Sequence, residues 1–166
     1  MQKKTKQIIG ICLMATCVLI GDAYGGQTET DMRMGYSVSM TVPENWQITR
    51  DEWYFFTFGL RGNNEVFGVL NAYEGEPQNA REIAEWNRKH YQEKSGNVSE
   101  VTDTRLGNQS AASIVVTENG YDGLETTLYV YAVKGSHTFE LSIQAPADRY
   151  ANYTSDMNYI VQNTRF

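Results

Sequence analysis

The side chains able to do chemistry in this chain are few and scattered. Its two histidines, His90 and His137, are far apart in sequence, and neither has a second histidine at ligand spacing. A transition-metal site or a Ser–His–Asp triad needs more than that. A partly exposed structural histidine is the simpler reading of each. Carboxylates are plentiful: Glu44, Asp51, Glu52, Glu74, Glu76, Glu118, Asp122 and Glu125. Two of them facing each other across a cleft would support glycoside hydrolysis. Several around one loop would hold calcium. The spacing establishes neither. Residues 119–123 are too few, and Glu125 too isolated, for an EF-hand loop, so solvated turns on an acidic protein account for them. There is no Walker sequence, no Gly-x-Gly-x-x-Gly after a strand and no Gly-x-Ser-x-Gly. Nucleotide-dependent chemistry is disfavoured, and no catalytic, cofactor-binding or metal-ligating residue is assigned.

Aromatic side chains are the one enriched feature. Trp46, Trp53 and Phe55 form the candidate interaction surface, able to stack on a protein partner or a sugar ring. The competing reading places them in a core beneath a covering helix, and a run apolar on both faces favours core.

Both cysteines, Cys12 and Cys17, lie near the amino terminus, inside the uncharged 13-residue run 8–20. Lys3, Lys4 and Lys6 precede that run, and Ala23-Tyr24-Gly25 follows it with small residues at the positions a signal peptidase reads. Residues 1–25 therefore read as a cleavable secretory signal, cut before Gly26 or, alternatively, after Ala23. A spanning helix needs about 20 apolar residues, so a membrane anchor is disfavoured. A lipid-attachment role for Cys17 fits poorly, because Met14-Ala15-Thr16 makes a weak box and Val18, Leu19 and Ile20 continue the apolar run. The expected location is secreted or periplasmic.

Cleavage has chemical consequences. It removes both cysteines, which excludes disulfides, thiol nucleophiles and Cys-ligated metals from the mature chain. It also removes three of 14 cations and one of 20 acids, taking the net charge from −6 to −8. An acidic chain without a basic cluster argues against nucleic acid and anionic lipid as partners. It remains compatible with a basic partner or a divalent cation.

About 140 residues remain, one ordinary domain. Residues 26–34 are polar and aperiodic and read as a flexible tether. Residues 36–42 alternate cleanly and predict a strand with one dry face. Trp46 to Arg50 starts another. Residues 53–60 read as a strand covered on both sides, and 61–64 as a hairpin turn into a return strand over 65–73. Asn79 with Glu82 three residues later predicts the start of a helix running to about Lys94, and Gly96 its stop. A four-stranded meander follows over 98–106, 111–117, 124–133 and 137–145. Asp148 is placed to cap a final helix carrying Tyr150, Tyr153, Met157, Ile160 and Val161 at helical spacing. The order implies an α+β domain.

The opening Gly35-Tyr36-Ser37-Val38 and Val42-Pro43-Glu44-Asn45-Trp46 carry a resemblance. So do the long helix, the meander with Tyr129-Val130-Tyr131 and Phe139-Glu140-Leu141, and the closing Thr164-Arg165-Phe166. Over residues 35–166 the chain resembles the PsbP-like fold family. That family includes the extrinsic PsbP protein of photosystem II, DcrB-type envelope proteins and the Ran-binding Mog protein. The resemblance implies an antiparallel sheet of about six to eight strands sandwiched between α-helices. It does not imply an enzyme, since characterised members mostly bind or stabilise partners. With no catalytic set among the residues, the expected function is that of an exported non-enzymatic protein without cofactor that binds or stabilises another envelope protein. A divalent-cation or small-ligand binder using acidic loops is the alternative, and a carboxylate-dependent hydrolase ranks third.

Overall fold

The computed structural model describes residues 26–75, 79–94, 97–120 and 123–166. The signal over 1–25 with its two cysteines lies outside them, as do Glu76, Gly96 and Asp122.

The stretch read as a tether is a strand. β1 (Gln27–Arg33) pairs along its whole length with β2 (Tyr36–Val42). The turn between them explains why. Met34 and Gly35 both take positive φ, 53° and 79°, the backbone that a two-residue hairpin demands and that glycine adopts without strain. No side chain of β1 is buried, so it has no hydrophobic alternation to read. β2 does, and its Val38, Met40 and Val42 are fully buried.

β3 (Trp46–Thr49), β4 (Phe56–Leu60) and β5 (Phe67–Glu74) form a meander. β4 is shorter than the aromatic run implied. Asp51 accepts a 2.7 Å hydrogen bond from the Trp53 amide, a side-chain-closed turn that keeps residues 51–54 out of the sheet. α1 (Ala80–Lys94) begins as expected. The Glu82 amide donates to Asn79 Oδ1 at 2.9 Å, and the Asn79 amide donates to Glu82 Oε2 at 3.3 Å, a reciprocal capping box.

The predicted edge strand over 98–106 is broken into β6 (Asn97–Val98) and β7 (Thr102–Leu106). Both pair with β8 (Gln109–Asn119) at different heights. β9 (Leu124–Lys134) and β10 (His137–Pro146) complete an eight-stranded antiparallel sheet, ordered β3-β4-β5-β10-β9-β8-β6 with β7 also on β8. α2 (Tyr150–Gln162) starts from Arg149, with no side-chain cap. Asp148 turns instead to the Arg149 guanidinium, 3.7 Å away. The chain then adds β11 (Thr164–Arg165) to β2, closing a three-stranded sheet β1-β2-β11. Gly107 makes room for that closure. Its amide donates to the Val161 carbonyl at 2.8 Å, and a Cβ there would sit 1.5 Å from the Thr164 carbonyl oxygen.

The architecture is α+β, with helices on both faces of the large sheet. On one face, α2 and the three-stranded sheet enclose the main core, built on Trp46, Phe56, Phe58, Leu70, Phe139, Leu141, Met157 and Ile160. On the other, α1 buries Ile83 and Ala84 against Ala112, Ile114, Val116 and Tyr131.

Candidate functional site

The three predicted surface residues are divided by the fold. Trp46 is fully buried between Phe58 and α2 and donates its indole N–H to Asp156 Oδ2 at 2.8 Å. Phe55 is buried against Phe139. Both are core, so neither contributes to an exposed face. Trp53 is 83% exposed, at the turn after Asp51. Arg33 holds this turn by donating to the carbonyls of Asp51 and Glu52 at 2.5 and 3.1 Å.

The strand register defines a different surface. Residues paired across an antiparallel sheet point to the same side. Glu140 of β10 pairs with Asn71 of β5 and with Tyr131 of β9. The same side therefore carries Thr57, Phe67, Val69, Asn71 and Tyr73 from β4 and β5. From β10 and β9 it carries Glu140, Ser142, Gln144, Thr127, Tyr129 and Tyr131. This is the α1 side. The helix packs on β8 and β9, and β3, β4, β5 and β10 lie beyond it. Phe67 is 44% exposed and Tyr73 38% exposed on this open half. Two depressions of about 660 and 380 Å³ meet at Phe67 and Asn64. The first is rimmed by the Arg149–Glu65 ion pair at 2.6 Å.

Where the helix ends and the open half begins, aromatic rings step down to the sheet. Trp86, 65% exposed, stacks on His90 at 5.6 Å. His90 meets the edge of Tyr91 at 6.0 Å, Tyr91 stacks on Tyr129 at 5.3 Å, and Tyr129 lies parallel to Tyr131 at 6.3 Å. Glu140 stands beside the lowest of these rings, half-buried.

The electrostatics centre on that carboxylate. Burial pushes the Glu140 carboxyl above the ordinary glutamate range, because desolvation disfavours the charged form. Burial, followed by the Glu140 charge, pushes Tyr73 up to about 12. Tyr131 is raised further for the same two reasons in the same order. Tyr129 is raised by burial first, then by its hydrogen bond to Tyr91. Among the described residues, no ion pair or side-chain hydrogen bond engages the Glu140 carboxylate. No group of three His, Cys, Asp or Glu side chains gathers there or elsewhere among the described residues. The arrangement provides a negative, half-desolvated spot beside aromatic rings, which suits binding.

Phe67, Tyr73 and Glu140 were absent from the surface expected from sequence. Their signal was the alternation of Phe67, Val69, Asn71 and Tyr73 against Gly68, Leu70 and Ala72. The matching signal in β10 was Thr138, Glu140, Ser142 and Gln144 against Phe139, Leu141 and Ile143.

Comparison with known proteins places this topology. No family model and no curated protein matches the chain by sequence. Cyanobacterial PsbP (CyanoP) from Synechocystis matches with a TM-score of 0.64 at 11% identity, over 92% of this chain and 98% of that one. LpqN, involved in cell envelope biogenesis of Mycobacterium tuberculosis, matches with a TM-score of 0.63 at 15% identity, over 84% and 90% of the two chains. The fold is PsbP-like. The Ran-binding protein Mog1p of Saccharomyces cerevisiae shares this PsbP-like fold, with a TM-score of 0.53 at 8% identity over 84% and 95%. A longer Bacteroides thetaiotaomicron protein matches with a TM-score of 0.51 at 18% identity. Here 77% of this chain spans only 44% of that one.

Proposed function

We propose that this chain is an exported, non-enzymatic protein of the cell envelope that binds or stabilises a protein partner through the open half of its large sheet. One observation carries the reading. One face of the eight-stranded sheet is roofed by α2 and the small sheet, while α1 covers only part of the other and leaves Phe67 and Tyr73 exposed among polar neighbours. Exposed aromatic side chains on a polar sheet surface are a common anchor for protein partners. The envelope role of LpqN and the Ran binding of Mog1p, both of this fold, favour the same reading. Export rests on residues 1–25 as a cleaved signal; among the described residues no helix is long and apolar enough to cross a membrane.

Site-specific photocrosslinking in the native host tests the surface. A photoreactive phenylalanine analogue at Phe67 or Tyr73 is expected to give one discrete adduct, and the same analogue at the exposed Thr154 of α2 none. Equal adducts at all three positions, or none at any, would remove the assignment. Intact mass of the purified protein tests export, with a first residue of Gly26 or Tyr24 expected and retained Met1 contradicting it.

A further inference from the structure

We propose that the open half of the sheet receives a lysine or arginine side chain of the protein partner, with Glu140 as counter-ion and Tyr73 and Tyr129 flanking it. The inference rests on the reading of this face as the partner-binding face and names the chemistry it selects.

The register supplies the geometry. Glu140 lies directly opposite Asn71 and Tyr131, and Tyr73 and Tyr129 are its diagonal neighbours on the same side. Diagonal Cβ atoms in an antiparallel pair are roughly 7–8 Å apart, within reach of aromatic side chains. That spacing puts the Tyr73 ring within reach of a cation bound to Glu140, and a ring face attracts a cation within roughly 6 Å. Tyr73 is open to solvent and can touch an incoming group, while the half-buried Tyr129, stacked on Tyr91, walls the opposite side and the buried Tyr131 forms the floor.

Charge selects the occupant. Among the described residues Glu140 has no cation and no hydrogen-bond donor, although it is partly withdrawn from water. Tyr73, Tyr91, Tyr129 and Tyr131 all lie within its negative field. An incoming ammonium or guanidinium would recover the lost solvation of the carboxylate. The apolar stem of a lysine or arginine would lie along Val69 and Phe67, as such stems do on apolar surface. A hard divalent cation needs several oxygen ligands, and no trio of candidate ligands gathers among the described residues. The chain's net charge of −6 favours approach of a basic partner.

The test is an NMR titration of the purified protein at pH 7. The probes are Nα-acetyl-argininamide and Nα-acetyl-lysinamide, with Nα-acetyl-citrullinamide as the neutral isostere of arginine. Both cations are expected to shift the Glu140 carboxyl carbon and the Tyr73 and Tyr129 ring signals saturably in the millimolar range, and citrulline to leave them unmoved. Glu140→Gln should weaken the apparent affinity at least tenfold, and Tyr73→Leu several-fold. Glu93→Gln, which removes equal charge from exposed α1, should leave it unchanged. Equal shifts with citrulline, or unchanged affinity in Glu140→Gln, overturn the proposal. The crosslinking assay separates the two readings. An adduct at Phe67 that persists at full yield in Glu140→Gln removes the cation chemistry alone, whereas no adduct in the unmodified background removes the face itself.

Discussion

Two tryptophans seven residues apart have opposite fates, and their stabilities should differ accordingly. Trp46 is fully buried and hydrogen-bonded to Asp156. Trp46→Ala is expected to cost about 3–5 kcal/mol, the range for emptying a large aromatic site. Trp53→Ala, at an exposed turn, should stay within about 0.5 kcal/mol; urea unfolding of both variants checks the contrast. Glu140 predicts an effect of the other sign. Its carboxyl is raised by burial, so the native state holds the proton to higher pH than the unfolded chain does. Below the unfolded value, ~4.3, both states are protonated and there is no penalty. Between the unfolded and the native value the unfolded chain has released its proton and the native state has not, so stability falls as pH rises across that window and changes no further above the native value. Glu140→Gln should therefore melt higher than the parent at pH 7, with the difference closing below about pH 4. A variant that melts lower at pH 7 would contradict this. A residue that lowers stability where it stands fits a binding surface better than a core.

The same contrast explains how much of the site could be read from residue order. Aromatic content marked 46–55 as unusual, but composition cannot tell which aromatic faces outward. The turn closed by Asp51 decides that, and it depends on one side-chain bond. Glu140 was hidden among ordinary alternating polar residues. It gained meaning only from its two neighbours in the sheet: β9 joins β10 through a hairpin, whereas β5 pairs with it across α1 and four intervening strands.

Among elements, those with strong local signals were read well. β2 alternates, α1 opens on a capping box, and the meander from β8 to β10 is punctuated by turns. Asn79→Ala should cost about 1 kcal/mol through loss of the cap, measurable as reduced amide protection in the first turn of α1. The elements missed were β1 and β11. Neither has an amphipathic pattern, because each is held by backbone pairing to β2. Their existence is set by a partner strand, which single-strand periodicity cannot reveal. Deleting residues 26–33 tests the point. A tether would leave the melting temperature unchanged. A paired strand whose Arg33 also fastens the 51–52 carbonyls should lower it by several degrees.

At the level of the complete fold, layer order follows from which faces are apolar, and that much was visible in the sequence: strands, helix, strands, helix. The unequal roofing was not. α1 has 15 residues and covers β8 and β9, so the sheet is wider than its helix. Width depends on how many strands pair, a property of the assembled chain. The half left open is where the aromatic steps and Glu140 meet solvent.

The pairing of β11 with β2 has a consequence for how the protein comes to be folded. Trp46 bonds Asp156 across 110 residues, and Tyr36 bonds Lys134 across 98. Contacts of such long sequence separation make folding slow, on the order of milliseconds to seconds. Val38, Met40 and Val42 share one core with Leu70, Phe139 and Leu141 of the large sheet and with Met157 and Ile160 of α2, so their burial is complete only once the last helix has packed. The amino-terminal hairpin therefore gains its last covering partners only when the carboxyl terminus has docked.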